Sequence, residues 1–255
     1  MRDIKVVRDF FEKESLSWEQ EHGPESERRD GFRAVYSVLR GIVESFPQPP
    51  KVLDIGCGTG AHLRLLSPLL RSGVGVDVAE GMVDQASYLA HSQLGPNLNL
   101  SFVQADAGMA DSIAKVGSIA SDFDMIMIVG AFEHILAREE LLRALHEIRN
   151  PACKLVILSP SKYSLPFMIE RVKNQGEPPR LCPSDRHFSL GHLKSITKQC
   201  GWLYQYALPV VAPPSHQANG PGKLIYQIDR LRAKLPVVRF LGTYCAIFTP
   251  ESTKP

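Results

Sequence analysis

A short apolar run, Val52-Leu53-Asp54-Ile55, ends in Gly56-Cys57-Gly58-Thr59-Gly60 and leads straight into a helix-forming stretch. Three glycines in five residues at the end of a strand let backbone N–H groups approach a ligand, because no Cβ stands in the way. That turn commits the chain to a βα unit whose loop is a binding surface. The same rhythm continues downstream, with a helix at 61–70, a strand at 74–77, a helix at 80–91 and a strand at 100–103. A strand at 125–129, a helix at 137–149 and a strand at 155–158 follow. Such alternation predicts an α/β fold built on a mostly parallel sheet with helices on both faces. The strands are apolar on both sides, as a covered sheet requires.

The flanks read differently. Ile4, Val7, Phe10, Phe11 and Trp18 recur among charges as one or two short helices, which His22-Gly23-Pro24 breaks. Phe32, Val35, Tyr36, Leu39 and Val43 then mark one face of an amphipathic helix that ends before Pro47, Pro49 and Pro50. Beyond Pro160 a short helix is expected at 162–175, a proline- and charge-rich loop at 176–186, a helix at 192–200, and final strands at 203–211 and 243–248. The 255 residues therefore read as one domain over 1–255. Residues 1–50 form its N-terminal helical cap, with late insertions near 161–187 and 212–241.

Composition narrows the partners. Lys and Arg number 29 against 27 Asp and Glu, a net charge of +2 that supplies no broad field for nucleic acid, so no nucleic-acid partner is expected. Five scattered cysteines without a CxxC pair suggest reduced thiols and no zinc site. No apolar run reaches a membrane span, and the first residues mix acids with bases, so a cytoplasmic protein is expected. The segment 223–240 carries Leu224, Ile225, Ile228, Leu231 and Leu235 with Lys223, Arg230, Arg232, Lys234 and Arg239. A basic amphipathic helix of this kind lies on an anionic membrane surface, covers an apolar substrate, or packs on a sheet edge.

Three acids give the glycine turn its chemistry. Asp54 stands two residues before the first glycine, Asp77 lies at the end of the next strand, and Asp106 just past the third. Asp77 is placed to accept from two ribose hydroxyls and Asp106 from an adenine amine. A dinucleotide site shares this plan, and Gly56-x-Gly58-x-x-Ala61 satisfies its fingerprint. Asp54 separates the two, since a buried carboxylate there repels a pyrophosphate but suits the ammonium and sulfonium of S-adenosylmethionine.

At these positions the chain resembles the class I S-adenosylmethionine-dependent methyltransferases, over about 51–202. Residues 53–60 look like the family's first motif, Gly75-Val76-Asp77 like its second-strand acid and Gln104-Ala105-Asp106 like its adenine-side acid. Phe123-Asp124-Met125-Ile126 resembles the fourth strand, and Asn150-Pro151-Ala152-Cys153 stands where the family often has a Pro-Gly-Gly turn. The resemblance implies a Rossmann-like seven-stranded sheet whose last strand is antiparallel. It also implies a pocket formed by Gly56, Cys57, Gly58 and Gly60 with Val78, Met82, Ala107 and Val129 beside the three acids.

Methyl transfer from a sulfonium is an in-line displacement, so the protein positions the acceptor and excludes water; a base is needed only for an acceptor that must lose a proton. His134, in Phe132-Glu133-His134 after the fourth strand, is either that base or a histidine bonded at a helix start or in the core. The segment is similar to the Glu-x-x-Glu-His of quinone-biosynthesis O-methyltransferases, with Gly130 in place of the first acid. That loss argues against a metal, and none is expected. His187, in Arg186-His187-Phe188-Ser189, resembles a substrate-side turn, with Tyr163 and Arg186 on the same rim. Arg33 either reaches the cofactor's carboxylate from the cap or stands solvated. The expected function is S-adenosylmethionine-dependent methylation of a small organic acceptor, apolar or lipid-like, at oxygen. The alternatives are a tRNA or protein methyltransferase and a non-catalytic cofactor-binding regulator. Against the tRNA or protein reading, Val129-Gly130-Ala131-Phe132 lacks the Asn/Asp-Pro-Pro-aromatic signature of base methylation.

Overall fold

The computed structural model describes residues 4–26, 29–96, 98–173, 187–211, 220–235 and 241–251. Helices α1 (Ile4–Glu14), α2 (Trp18–His22) and α3 (Arg29–Glu44) precede the first strand. The alternating part runs β1 (Lys51–Ile55), α4 (Ala61–Leu66), β2 (Ser72–Asp77), α5 (Glu80–Leu94), β3 (Leu100–Gln104), α6 (Ala110–Ile119), β4 (Phe123–Val129), α7 (Arg138–Ala144) and β5 (Arg149–Pro160). Then come α8 (Leu165–Lys173), α9 (Leu190–Gln199), β6 (Trp202–Val210), α10 (Gly220–Lys234) and β7 (Thr243–Pro250).

The seven strands lie in the order β3-β2-β1-β4-β5-β7-β6. All neighbours from β3 to β5 are parallel, and β7 runs antiparallel between β5 and β6. The expected seven-stranded, mostly parallel sheet with an antiparallel last strand is what the chain forms. Strand alternation divides the core between the two faces. Leu53, Ile55, Ile126, Ile128, Leu155 and Ile157 pack with Ile113 of α6, Leu141 of α7 and Leu193 of α9. Val52, Met125, Met127, Val156 and Leu158 pack with Leu39 and Val43 of α3 and Leu63 and Leu66 of α4. Asp54 has the parity of Val52 and so points to the α3/α4 side.

Local chemistry moves several boundaries. The helix expected at 61–70 stops at Leu66 and continues as a 3₁₀ turn, Ser67–Leu69, because Pro68 has no N–H for an α-helical bond. The helix expected at 137–149 likewise ends at Ala144 and tightens into Leu145–Glu147. Strand β5 begins at Arg149 rather than 155, and its register against β4 shifts between Phe123 and Met125. There the Asn150 amide donates to Asp124 while its Oδ1 accepts from Ala152 N–H at 2.8 Å, a side-chain turn in place of a glycine pair. Helix α6, with buried Ile113 and Val116, falls in a stretch to which no element was assigned from sequence.

The late segments hold α8 and α10; residues 174–186, 212–219 and 236–240, with Arg186 and Arg239, lie outside the described residues. So do the side chains of Lys223, Ile225 and Asp229. On α10 the apolar face is exposed rather than packed on the sheet: Leu224, Ile228, Leu231 and Leu235 all face solvent. Among the described residues no helix is long and apolar enough to cross a membrane.

The turn after β1 depends on backbone space. Gly60 has φ +73° and caps α4, and a Cβ there would lie 2.6 Å from the Phe102 ring. Gly60→Ala is expected to destabilise the fold by about 2–4 kcal/mol, combining left-handed strain with overpacking. A denaturant midpoint shift corresponding to less than ~1 kcal/mol would show that the turn relaxes around a methyl group.

Candidate active site

The order of the sheet reverses at β1, which lies between β2 and β4, and the crevice outside the carboxyl ends of such strands is where ligands bind. A cavity of about 720 Å³ opens there. Its floor is the glycine turn. Gly56 N–H and Cys57 N–H both donate to Val76 O, at 2.8 and 3.0 Å, which folds the turn over the end of β2. Gly56 has φ +72°, and a Cβ on it would come within 2.3 Å of the Ala131 methyl carbon. The βα turn and the loop after β4 can therefore close against each other only around a glycine.

The three acids converge on this cavity. Asp77 accepts from Gly58 N–H at 2.9 Å and from Ala79 N–H at 3.0 Å. Burial raises its pKa, opposed by those backbone bonds and by the nearby His134. Asp106 accepts from Gly108 N–H at 2.8 Å. Asp54 is different. Its Oδ1 is buried without a hydrogen-bond partner. Burial first, and then the charge of Asp77, push its carboxyl up to about 8. A buried acid left this way is a seat for a cation.

Most of the remaining expected positions also line the cavity: Cys57, Gly58, Val78, Met82, Ala107 and Val129, together with His134 and His187. Two do not. Gly60 faces away, toward Phe102 and Ala86, so its part is to shape the turn rather than touch a ligand. Arg33 is exposed on α3, which presents Phe32 to the cavity instead. Phe32 lies seven residues before buried Leu39 and shares its face, whereas Arg33 is rotated about 100° from Phe32. Tyr163 is half exposed and lies off the cavity wall, and Arg186 lies outside the described residues.

The two histidines sit in different surroundings. His134 is buried, with its ring edge-on to Phe11 at 5.2 Å. His187 is half-buried against Phe167, ring centroids 4.8 Å apart, and its Nδ1 has no hydrogen-bond partner. Glu133 also lines the wall, where its Oε2 accepts from the Ser159 hydroxyl at 3.4 Å.

The roof comes from the N-terminal helices, whose aromatic residues show in the sequence only as helical spacing. Phe11 and Trp18 line the cavity, and the cap that carries them is tied to the site by charge. Glu19 of α2 pairs with Arg64 and accepts from the Thr59 hydroxyl, while Arg64 also donates to Thr59 O at 2.5 Å. Glu12 accepts from Gly81 N–H at 3.0 Å. His62, the second residue of α4, was missed; it lines the cavity and stacks on Phe32 at 4.4 Å. Its only signal in sequence is its place directly after the glycine turn.

Residues 52–151 match the family model described as a methyltransferase domain. That segment is similar to methyltransferase domains. It contains the whole glycine turn and all three acids. The chain is also 30% identical over 125 residues to a ubiquinone biosynthesis O-methyltransferase of Ruegeria pomeroyi, covering 46% of each protein. The chain thus matches about half the length of that curated relative. In fold it is similar to magnesium protoporphyrin IX methyltransferase of Synechocystis PCC 6803 crystallised with SAH, with a TM-score of 0.68 and 14% identity, covering 98% of this chain and 100% of that one. A TehB-like SAM-dependent methyltransferase of Corynebacterium glutamicum gives a TM-score of 0.58 at 17% identity, over 95% and 99% of the two chains.

The raised pKa of Asp54 has a consequence for stability. An unfolded aspartate ionises near 3.8, whereas this carboxyl, when folded, holds its proton to about pH 8. The folded ligand-free protein therefore loses stability as pH rises from about 4 to 8, because the unfolded chain ionises first. Asp54→Asn cannot ionise. Denaturant curves at pH 5 and 8 are expected to show the variant gaining on the wild type as pH rises, and parallel curves would contradict the burial of this acid.

Proposed function

We propose that the chain is an S-adenosylmethionine-dependent methyltransferase that acts on a hydroxyl of a small, uncharged and largely apolar acceptor. The observation that carries this reading is the unpartnered, buried Asp54 carboxyl oxygen beside the glycine turn. It fits the ammonium group of that cofactor, whose charge would draw the proton off this acid, whereas a pyrophosphate would leave no carboxylate there to pair with a cation. When bound, S-adenosylmethionine supplies a methyl group already activated by its sulfonium. Asp54 would pair with the ammonium, Asp77 would accept from the ribose hydroxyls with its remaining lone pairs, and Asp106 would accept from the adenine amine. Val78, Met82 and Ala107 give the nucleoside apolar walls, and the turn of Gly56, Cys57 and Gly58 lets it lie against the backbone.

The acceptor's chemistry follows from what surrounds it. Among the described residues the cavity is lined by acids, histidines, apolar side chains and the hydroxyl residues Thr59 and Ser164, with no lysine or arginine. An acceptor carrying a phosphate or carboxylate would lack a counter-charge, whereas a neutral apolar phenol or alcohol loses little on entering. Phe11, Trp18 and Phe167 exclude water from the transfer. The likeness to an O-methyltransferase supports oxygen as the acceptor atom. The exposed stripe on α10, flanked by exposed Arg230 and Lys234, suits an anionic lipid surface from which an apolar acceptor would be drawn.

His187 takes the hydroxyl proton in this reading, because it lines the cavity with an Nδ1 that has no hydrogen-bond partner, while His134 is packed near Asp77. The cofactor assignment predicts that S-adenosylhomocysteine raises the melting temperature and NAD does not. The reverse order would sink it. With one accepted phenol in hand, His187→Ala is expected to lower kcat by about 10²–10⁴-fold and abolish the fall in rate that comes as the imidazole is protonated at low pH. If that acidic limb survives in His187→Ala and vanishes in His134→Ala, the base is His134.

A further inference from the structure

We propose that His62 binds the carboxylate of the cofactor's amino-acid end, forming with Asp54 a two-sided seat for a zwitterion. The inference rests on the methyl-donor reading above and adds a residue to it. An α-amino acid group presents an ammonium and a carboxylate a few ångströms apart, and Asp54 answers only the first. The carboxylate needs a donor. Arg33, the basic side chain whose position in sequence suggested that part, is exposed on α3 and does not line the cavity. Arg64 is committed elsewhere, to Glu19, to Thr59 O and to Gln93.

His62 has what the others lack. Its Nδ1 is buried and has no hydrogen-bond partner, and the residue lines the same cavity as Asp54. Both belong to the same side of the sheet, since Asp54 shares the parity of Val52 and α4 packs its Leu63 and Leu66 on that face. Phe32 stacks on the imidazole at 4.4 Å, holding the plane of the ring and limiting where Nδ1 can point. Burial and the Arg64 charge lower the pKa of His62 to about 4, so the free protein carries a neutral imidazole there. In the tautomer with its hydrogen on Nδ1, that ring donates one bond to a carboxylate without a second buried charge. The Arg64 guanidinium close behind makes the local potential favourable for an anion.

Two unpartnered buried atoms of opposite hydrogen-bonding character therefore flank one glycine turn. Each alone is costly. A zwitterionic ligand satisfies both.

The test separates the two ends of the ligand. The full-length protein is titrated by calorimetry with S-adenosylhomocysteine and with its decarboxylated analogue, which keeps the adenosine, the thioether and the amine. His62→Phe preserves the stack on Phe32 but removes the donor. It is expected to weaken S-adenosylhomocysteine by roughly 10–100-fold, the scale of a hydrogen bond to a charged group, and to leave the analogue unchanged. His62→Asn returns an N–H donor close to the place of Nδ1 and is expected to recover part of the lost affinity. Asp54→Asn is expected to weaken both ligands, because both carry the amine. If His62→Phe weakens the two ligands equally, or neither, His62 is a packing residue and the proposal fails. If the wild type binds neither ligand, the methyl-donor reading fails first.

Discussion

The carboxylate of Asp77 joins the parts of the site. One oxygen accepts from the glycine turn at Gly58 and the other from Ala79 at the start of α5, so a single side chain at the end of β2 sets both elements that border the cavity. Two backbone bonds on one buried acid are what allow it to stay there despite desolvation. Asp54, only one strand away, has no such support and is pushed to about 8. On the proposed reading the two acids divide the work: the one satisfied by backbone shapes the site, and the unsatisfied one meets the cofactor's ammonium.

The N-terminal helices extend this logic to the roof. Glu19 reaches from α2 to Arg64 and Thr59, and Glu12 reaches from α1 to the start of α5. Glu12 is exposed, but Arg64 is buried and Glu19 half-buried, where charge pairing counts for more than at a surface. The roof supplies Phe11 and Trp18, carried by the same segment that the ion pair fastens. An apolar roof over an acidic floor suits a cationic cofactor together with a neutral acceptor.

Much of the fold was legible in advance because its signals are local. Two-residue alternation in Val52-Leu53, in 125–128 and in 155–158 sends successive side chains to opposite cores, and the glycines at 56, 58 and 60 punctuate the turn. Boundaries were less legible where one residue overrides periodicity, as Pro68 does in ending α4, or where a side chain replaces a glycine turn, as Asn150 does. Helix α6 carries only two buried positions, Ile113 and Val116, among small and polar residues, which is too weak a period to read.

The sequence by itself determined the sheet, its order of acids and the glycine turn, because these depend on backbone space and on residues a few positions apart. Tertiary structure decided which side chains meet. That Phe32 rather than Arg33 faces the cavity follows from the rotation of α3 against the sheet, which Leu39 and Val43 fix by packing. That Gly60 serves Phe102 instead of a ligand follows from the closeness of β3 and α5. His62 and Asp54 are eight residues apart on different elements, and only the folding of α4 over one face of β1 brings both residues to the wall of a common cavity. Hydrogen-bond satisfaction is a property of the whole surroundings of an atom, so no pattern along the chain could show that these two were left without partners.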